Sequence, residues 1–170
     1  MFFDHAKIHV AAGNGGNGCV SFRREKHVPR GGPDGGDGGR GGDVVFVADP
    51  QLRDLQLFTY KIHFKAGAGE PGQGARKHGA NGETVVIAVP LGTQVRIEPT
   101  TGTGDDSGEG DGEVVDGSAA QGDESDGSVL LADLVHSGEP VVVARGGLGG
   151  HGNARFVNSV RQAPKFAELG

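Results

Sequence analysis

The sequence predicts a mainly β domain with much irregular structure, in which glycine-rich left-handed polyproline II helices pack together beside a small sheet that curls into a barrel or sandwich. Three observations lead there. Of 170 residues, 34 are Gly and 8 are Pro, too many for an ordinary helical bundle, because Gly is poor in helix interiors and Pro worse. The apolar runs are short, β-branched and separated by turn formers, as strands are. Glycine also recurs with a strict period of three, the repeat of polyproline II.

The strands read in order. Ala6, Ile8 and Val10 alternate with Lys7 and His9; Val44-Val45-Phe46-Val47, Val85-Val86-Ile87-Ala88-Val89, Val95-Arg96-Ile97, Val129-Leu130-Leu131 and Val141-Val142-Val143-Ala144 follow. Their spacing suggests antiparallel pairing. Phe58, Tyr60, Ile62 and Phe64 sit two apart, opposite Lys61, His63 and Lys65, as in a strand with one buried and one wet, basic face. Phe22 and Phe46 read as further core anchors rather than platforms for bases. The longest helix candidate is Leu131 to His136, one turn stopped by Gly138.

Four glycine tracts lie between these runs: 13–18, 31–42, 67–82 and 146–152. The second carries Gly at 32, 35, 38 and 41, and again at 36, 39 and 42; the fourth repeats the period at 146, 149 and 152. A left-handed extended helix with Gly on two of its three edges can lie backbone to backbone against like neighbours, because no Cβ holds them apart. Gly32, Gly35, Gly36, Gly38, Gly39, Gly41, Gly42, Gly146, Gly149 and Gly152 are therefore expected as structural glycines. Residues 32 to 42 would make a rod of roughly 30 Å, with Asp34, Asp37 and Arg40 on the outward third edge. A flexible linker is the alternative for glycine-rich sequence, but a linker need not keep phase.

Charge is unevenly distributed. Ten of 22 acidic residues fall between 97 and 128, where there is no Lys or Arg, so the remaining body holds 16 basic against 12 acidic residues, a surplus of four. The segment from about 99 to 128 reads as an acidic, solvated insert between two strands. Cys19 is alone, the first residues lack the charged and apolar regions of a signal peptide, and no apolar run reaches a membrane span. A cytoplasmic monomer is the simplest expectation.

Basic residues cluster at Arg23, Arg24, Lys26, His27 and Arg30, at Arg76, Lys77 and His78, and singly at Arg40, Arg145, His151 and Arg155. Rods stacked side by side would bring these to a shared end, a positive patch suited to phosphate backbones and to recognition of RNA by shape. Catalytic readings are poor. No GxxxxGK[ST] or dinucleotide fingerprint is present, the seven histidines lack HExxH spacing, and one Cys supplies no thiolate pair. His5 and His9 are better read as solvent-facing strand residues than as metal ligands, Asp34 and Asp37 lack an evident apolar pocket, and nothing orders a His beside Ser21 or Cys19. The chain is expected to hold no catalytic residue, cofactor or metal.

Several motifs together resemble the amino-terminal domain of the Obg family of GTPases. They are Gly13 to Gly18 (GNGGNG), Phe22 to Lys26 (FRREK), Gly31 to Val44 (GGPDGGDGGRGGDV), His63 to Ala66 (HFKA), Val89 to Thr93 (VPLGT), Ala132 to Leu134 (ADL), Ala144 to Asn153 (ARGGLGGHGN) and Ala163-Pro164. The resemblance covers residues 3 to 168 apart from the acidic insert. It implies an Obg fold, six left-handed glycine-rich helices on a small eight-stranded β-barrel, occupying residues 1–158, with 159–170 beginning a linker toward a GTPase domain. It further implies association with the large ribosomal subunit during its assembly, with the loops at 23–42, 76–81 and 146–155 facing rRNA near the peptidyl transferase centre. GTP and Mg would belong to the longer parent only, since the family's phosphate loop, switches and Mg ligands have no counterpart here. Other assembly or stress-response proteins are possible further partners, and a protein-interaction scaffold with incidental RNA contact is the competing reading.

Overall fold

The computed structural model describes residues 4–26, 31–98 and 128–170; the acidic insert, His27 and Arg30 lie outside these. Strands dominate the regular structure. They are β1 (His9–Ala11), β2 (Val44–Asp49), β3 (His63–Lys65), β4 (Val85–Pro90), β5 (Thr93–Ile97), β6 (Val129–Leu134) and β7 (Pro140–Ala144), with one helical turn, α1 (Leu57–Tyr60), between β2 and β3. Among the described residues the strands form three small sheets, β1-β3, β4-β2-β7 and β5-β6. Val44, Phe46 and Ala48 of β2, Ile87 and Val89 of β4, Leu134 of β6, and Phe58 and Ala66 make the core. β2 is buried at Val44, Phe46 and Ala48 on one face and at Val45 on the other, which is why it reads as a continuous apolar run.

The expected antiparallel pairing is corrected. β1 pairs β3 in parallel and β2 pairs β4 in parallel, while β2-β7 and β5-β6 are antiparallel. The glycine tracts cause this. β1, β3 and β7 each run into a tract that leaves the sheets, whereas β2 and β4 each emerge from one that returns. Strand direction is thus set by the tract a strand feeds, and the out-and-back tracts supply the long crossover that parallel strands need.

Two further expectations change. Residues 131–136 are not helical: β6 runs through Leu134, and Gly138, at φ +78°, turns the chain into β7. Conversely, the 58–64 alternation is broken by α1, whose Phe58 is buried while Leu57 and Tyr60 are exposed; pairing starts at His63. Phe58 and Phe64 meet edge to face at 5.9 Å, so both point inward under either reading and alternation alone could not separate them.

Beyond the sheets the tracts form a slab around residues 32–42. The amides of Gly36, Gly39 and Gly42 donate to Gln73, Glu70 and Gly67, and those of Gly38 and Gly41 to Gly150 and Gly147. Cys19, Gly16 and Gly13 donate back to Gly36, Gly39 and Gly42, and Gly79 and Gly82 to Asp37 and Arg40. The central tract therefore has four extended neighbours. The two glycine registers face different ones. A methyl group on Gly35, Gly38 or Gly41 would overlap the carbonyl of Cys19, Gly16 or Gly13; on Gly36, Gly39 or Gly42 it would overlap Lys77, Ala80 or Glu83. Gly146, Gly149 and Gly152 would strike Gly41, Gly38 and Gly35 in the same way. Gly32 is the exception, since among the described residues nothing lies within 4 Å of the position its Cβ would take.

None of these glycines is required by its dihedrals. Among the described glycines only Gly92 and Gly138 have positive φ, both in turns between strands. The tracts use glycine for its missing side chain, not for the left-handed region.

Within the stretch 159–170, expected as the start of a linker, residues 164–170 contact the slab. Pro164 is fully buried. The Glu168 carbonyl accepts from Gly18, its amide donates to His151, and the Gly170 amide donates to Asn17 Oδ1. This segment makes a sixth extended member.

Candidate nucleic-acid interface

The slab's far end carries three chain reversals. Phe22 and Pro33 bridge across the loop that holds Arg23 to Gly32, Gln73 and Lys77 bridge across a tight turn, and a 3-10 turn spans Asn153–Phe156. They are held together by named contacts. The Asp34 carbonyl accepts from Arg76 (2.6 Å), its Oδ2 from the Ala75 amide (3.2 Å), and its own amide donates to Ser21 (2.9 Å).

Asn153, fully buried, is the staple. Its Oδ1 accepts from Gly35 (2.8 Å) and Ser21 (3.4 Å), and its Nδ2 donates to Ser21 (3.0 Å) and Pro164 (3.1 Å). Both ends of the amide are used, as burial demands. Sequence reading gave it no role of its own; the only signal was an Asn directly after the last phased glycine.

The third edge of the central tract is not simply outward. Asp37, only 13% exposed, accepts from the Gly152 amide (2.8 Å) and pairs with Arg155 at 2.6 Å, with His78 3.6 Å away. Asp43 Oδ1 accepts from Gly146 (2.6 Å). Burial pulls the Asp37 carboxyl upward, but the Gly152 amide, the Arg155 guanidinium and His78 outweigh it and hold the group below its ordinary value. These carboxylates cap amides of the tract 146–152.

The predicted basic residues consequently separate into groups. Arg155 and His78 attend Asp37, Arg40 pairs with Asp43 at 2.8 Å, and His151 pairs with Glu168, whose carboxyl its ring holds below the usual range. Arg23 pairs with Glu25 at 2.8 Å. Arg145 is exposed but follows β7, about 20 Å from the far end at the rise of an extended tract. Arg24, Lys26, Arg76 and Lys77 remain: exposed at the far end, with no acidic group within 4.0 Å among the described residues.

The glycine tract of the slab does not form a phosphate cradle of the phosphate-loop kind. A phosphate cradle needs free backbone N–H groups, but Gly36, Gly38, Gly39, Gly41 and Gly42 all spend theirs on neighbouring carbonyls. Among the described residues no group of three or more His, Cys, Asp or Glu is arranged to hold a metal ion, and no helix is long and apolar enough to cross a membrane.

A family model described as GTP1/OBG matches residues 3–123 and 112–170. The chain belongs to the GTP1/OBG family. Among its relatives, the protein named GTPase Obg from Desulforudis audaxviator (strain MP104C) is 51% identical over 170 residues, all of this chain and 34% of that protein. GTPase Obg of Persephonella marina is 49% identical over 99% of this chain and 42% of its own length, and that of Chlorobium phaeobacteroides 50% identical over 99% and 44%. The chain thus spans well under half the length of these GTP1/OBG relatives. The mainly β fold with extended glycine tracts is that of an Obg-fold domain.

Proposed function

We propose that this chain is the large-ribosomal-subunit docking module of an Obg-type GTPase acting in subunit assembly in the cytoplasm, with binding and hydrolysis of GTP, and the Mg that accompanies them, carried by other sequence of the parent protein. One observation carries the reading: a backbone-bonded slab holds three chain reversals at one end, where Arg24, Lys26, Arg76 and Lys77 have no acidic partner among the described residues. A rigid projection tipped with such cations suits a folded RNA, whose phosphates are recognised by position and shape.

The test is the salt dependence of binding to purified large ribosomal subunits. Affinity should fall linearly on a log-log plot against salt. Neutralising all four cations to Gln should lower that slope by roughly three, at about 0.7–0.9 for each phosphate no longer neutralised. Unchanged affinity and slope in that variant would remove the proposed surface. Crosslinks that recover only ribosomal or other proteins would favour the interaction-scaffold reading instead.

A further inference from the structure

The turn at Gly74 to Lys77 is built against local preference. Ala75 and Arg76 have φ of 58° and 57°, the only non-glycine residues with positive φ among those described. That region is disfavoured for any residue with a Cβ and is the usual place for glycine or asparagine. Yet this chain spends 34 glycines elsewhere and places two side-chain-bearing residues here. Both are exposed, so burial does not explain them.

The turn is held from one side. Asp34 receives both strained residues, Arg76 through its carbonyl and Ala75 through Oδ2. Lys77 donates to Gly74, and Gln73 donates to Lys77, closing the turn. Among the described residues Asp34 Oδ1 is buried with no hydrogen-bond partner, so one oxygen of the carboxylate goes unsatisfied while the other holds the turn. Strained backbone held by surrounding contacts is a recurring mark of functional positions.

We propose that Ala75 and Asp34 are positioning residues that lock the Gly74–Lys77 turn, so that the Arg76 guanidinium is presented to an RNA phosphate in a single pre-ordered direction. This rests on the docking function proposed above. A glycine at 75 would relieve the strain but free the turn, so that the ordering would have to be supplied on binding. Asp34 acts through the turn rather than by touching RNA.

The experiment measures binding of the 170-residue chain and its variants to purified large ribosomal subunits at fixed salt, alongside thermal unfolding. Ala75→Gly should weaken binding about tenfold, the size expected for releasing one residue's backbone, while its melting temperature stays level or rises. A merely structural role would move both in the same direction. Asp34→Ala should weaken binding similarly, and Asp34→Asn, which keeps an oxygen for the Ala75 amide, should restore most of it. Wild-type binding with an undiminished Ala75→Gly overturns this proposal alone. Failure of the wild-type chain to bind overturns the docking function and this proposal together.

Discussion

A single methyl group at Gly38 should cost about as much stability as truncating a large core side chain. Its Cβ would lie inside 3.0 Å of Gly16 and of the Asn17 carbonyl, a separation that real Cβ atoms essentially never show, and both are backbone, which no rotamer change can move aside. The neighbouring tract must retreat, and three hydrogen bonds at that level go with it: Gly16 to Gly39 (2.8 Å), Gly38 to Gly150 (2.8 Å) and Gly150 to Gly16 (2.9 Å). At about 0.5–1.5 kcal/mol each, with about 1–3 kcal/mol for overpacking, the loss is roughly 2.5–7.5 kcal/mol, centred on about 5 kcal/mol. For a chain of this size that is a fall of about 10 °C or more in melting temperature. Gly32 is the control on the same tract. Among the described residues nothing lies within 4 Å of its Cβ position, so Gly32→Ala should be neutral or stabilising by up to about 1 kcal/mol through the unfolded chain. Thermal unfolding followed by circular dichroism reads both. If Gly38→Ala melts within about 2 °C of Gly32→Ala, backbone nesting is not what the glycines provide.

Other perturbations address the staple, the buried carboxylate and the strained turn. Asn153→Ala removes the acceptor of Gly35 and the donor to Ser21 and Pro164; with orphaned buried groups costing about 1–3 kcal/mol each, denaturant unfolding should show a loss of about 3 kcal/mol, and less than about 1 would contradict the staple. The Asp37 carboxyl is depressed in the folded state, so its contribution is present above the unfolded value of 3.8 and lost as pH falls through the folded one. Melting temperature should therefore drop steeply below about pH 4, and Asp37→Asn should flatten that drop while lowering stability at neutral pH; an identical acid profile in the variant would contradict the assignment. Ala75→Gly relieves a left-handed residue worth about 1–2 kcal/mol against a glycine entropy of about 0.5–1, so calorimetry should find it level with or slightly above the wild type, not several degrees below.

The slab was legible in the sequence because its signal is periodic. Two phased registers in 32–42 identify two contact edges, and the structure gives each register its own neighbouring tract, 13–19 for one and 77–83 for the other. Strand positions were legible for the same reason, as in Val85 to Val89 within β4. Pairing direction was not, since it depends on which way each tract travels rather than on any strand's own residues. The cationic tip was only half legible. Arg155 and Arg76 look alike in sequence, and what separates them is Asp37, which lies 118 positions from Arg155 and only 39 from Arg76, yet bonds the former. Long-range ion pairing of that kind leaves no local pattern. Asn153 was missed because one polar residue has no period.

Amide hydrogen exchange resolved at individual glycines tests the account most directly. The amides of Gly13, Gly16, Gly36, Gly38, Gly39, Gly41, Gly42, Gly147 and Gly150 each donate to a neighbouring tract and should exchange slowly, near the rate set by global unfolding. Exchange of these amides at the rate of an unstructured glycine peptide would contradict the slab and everything built on it.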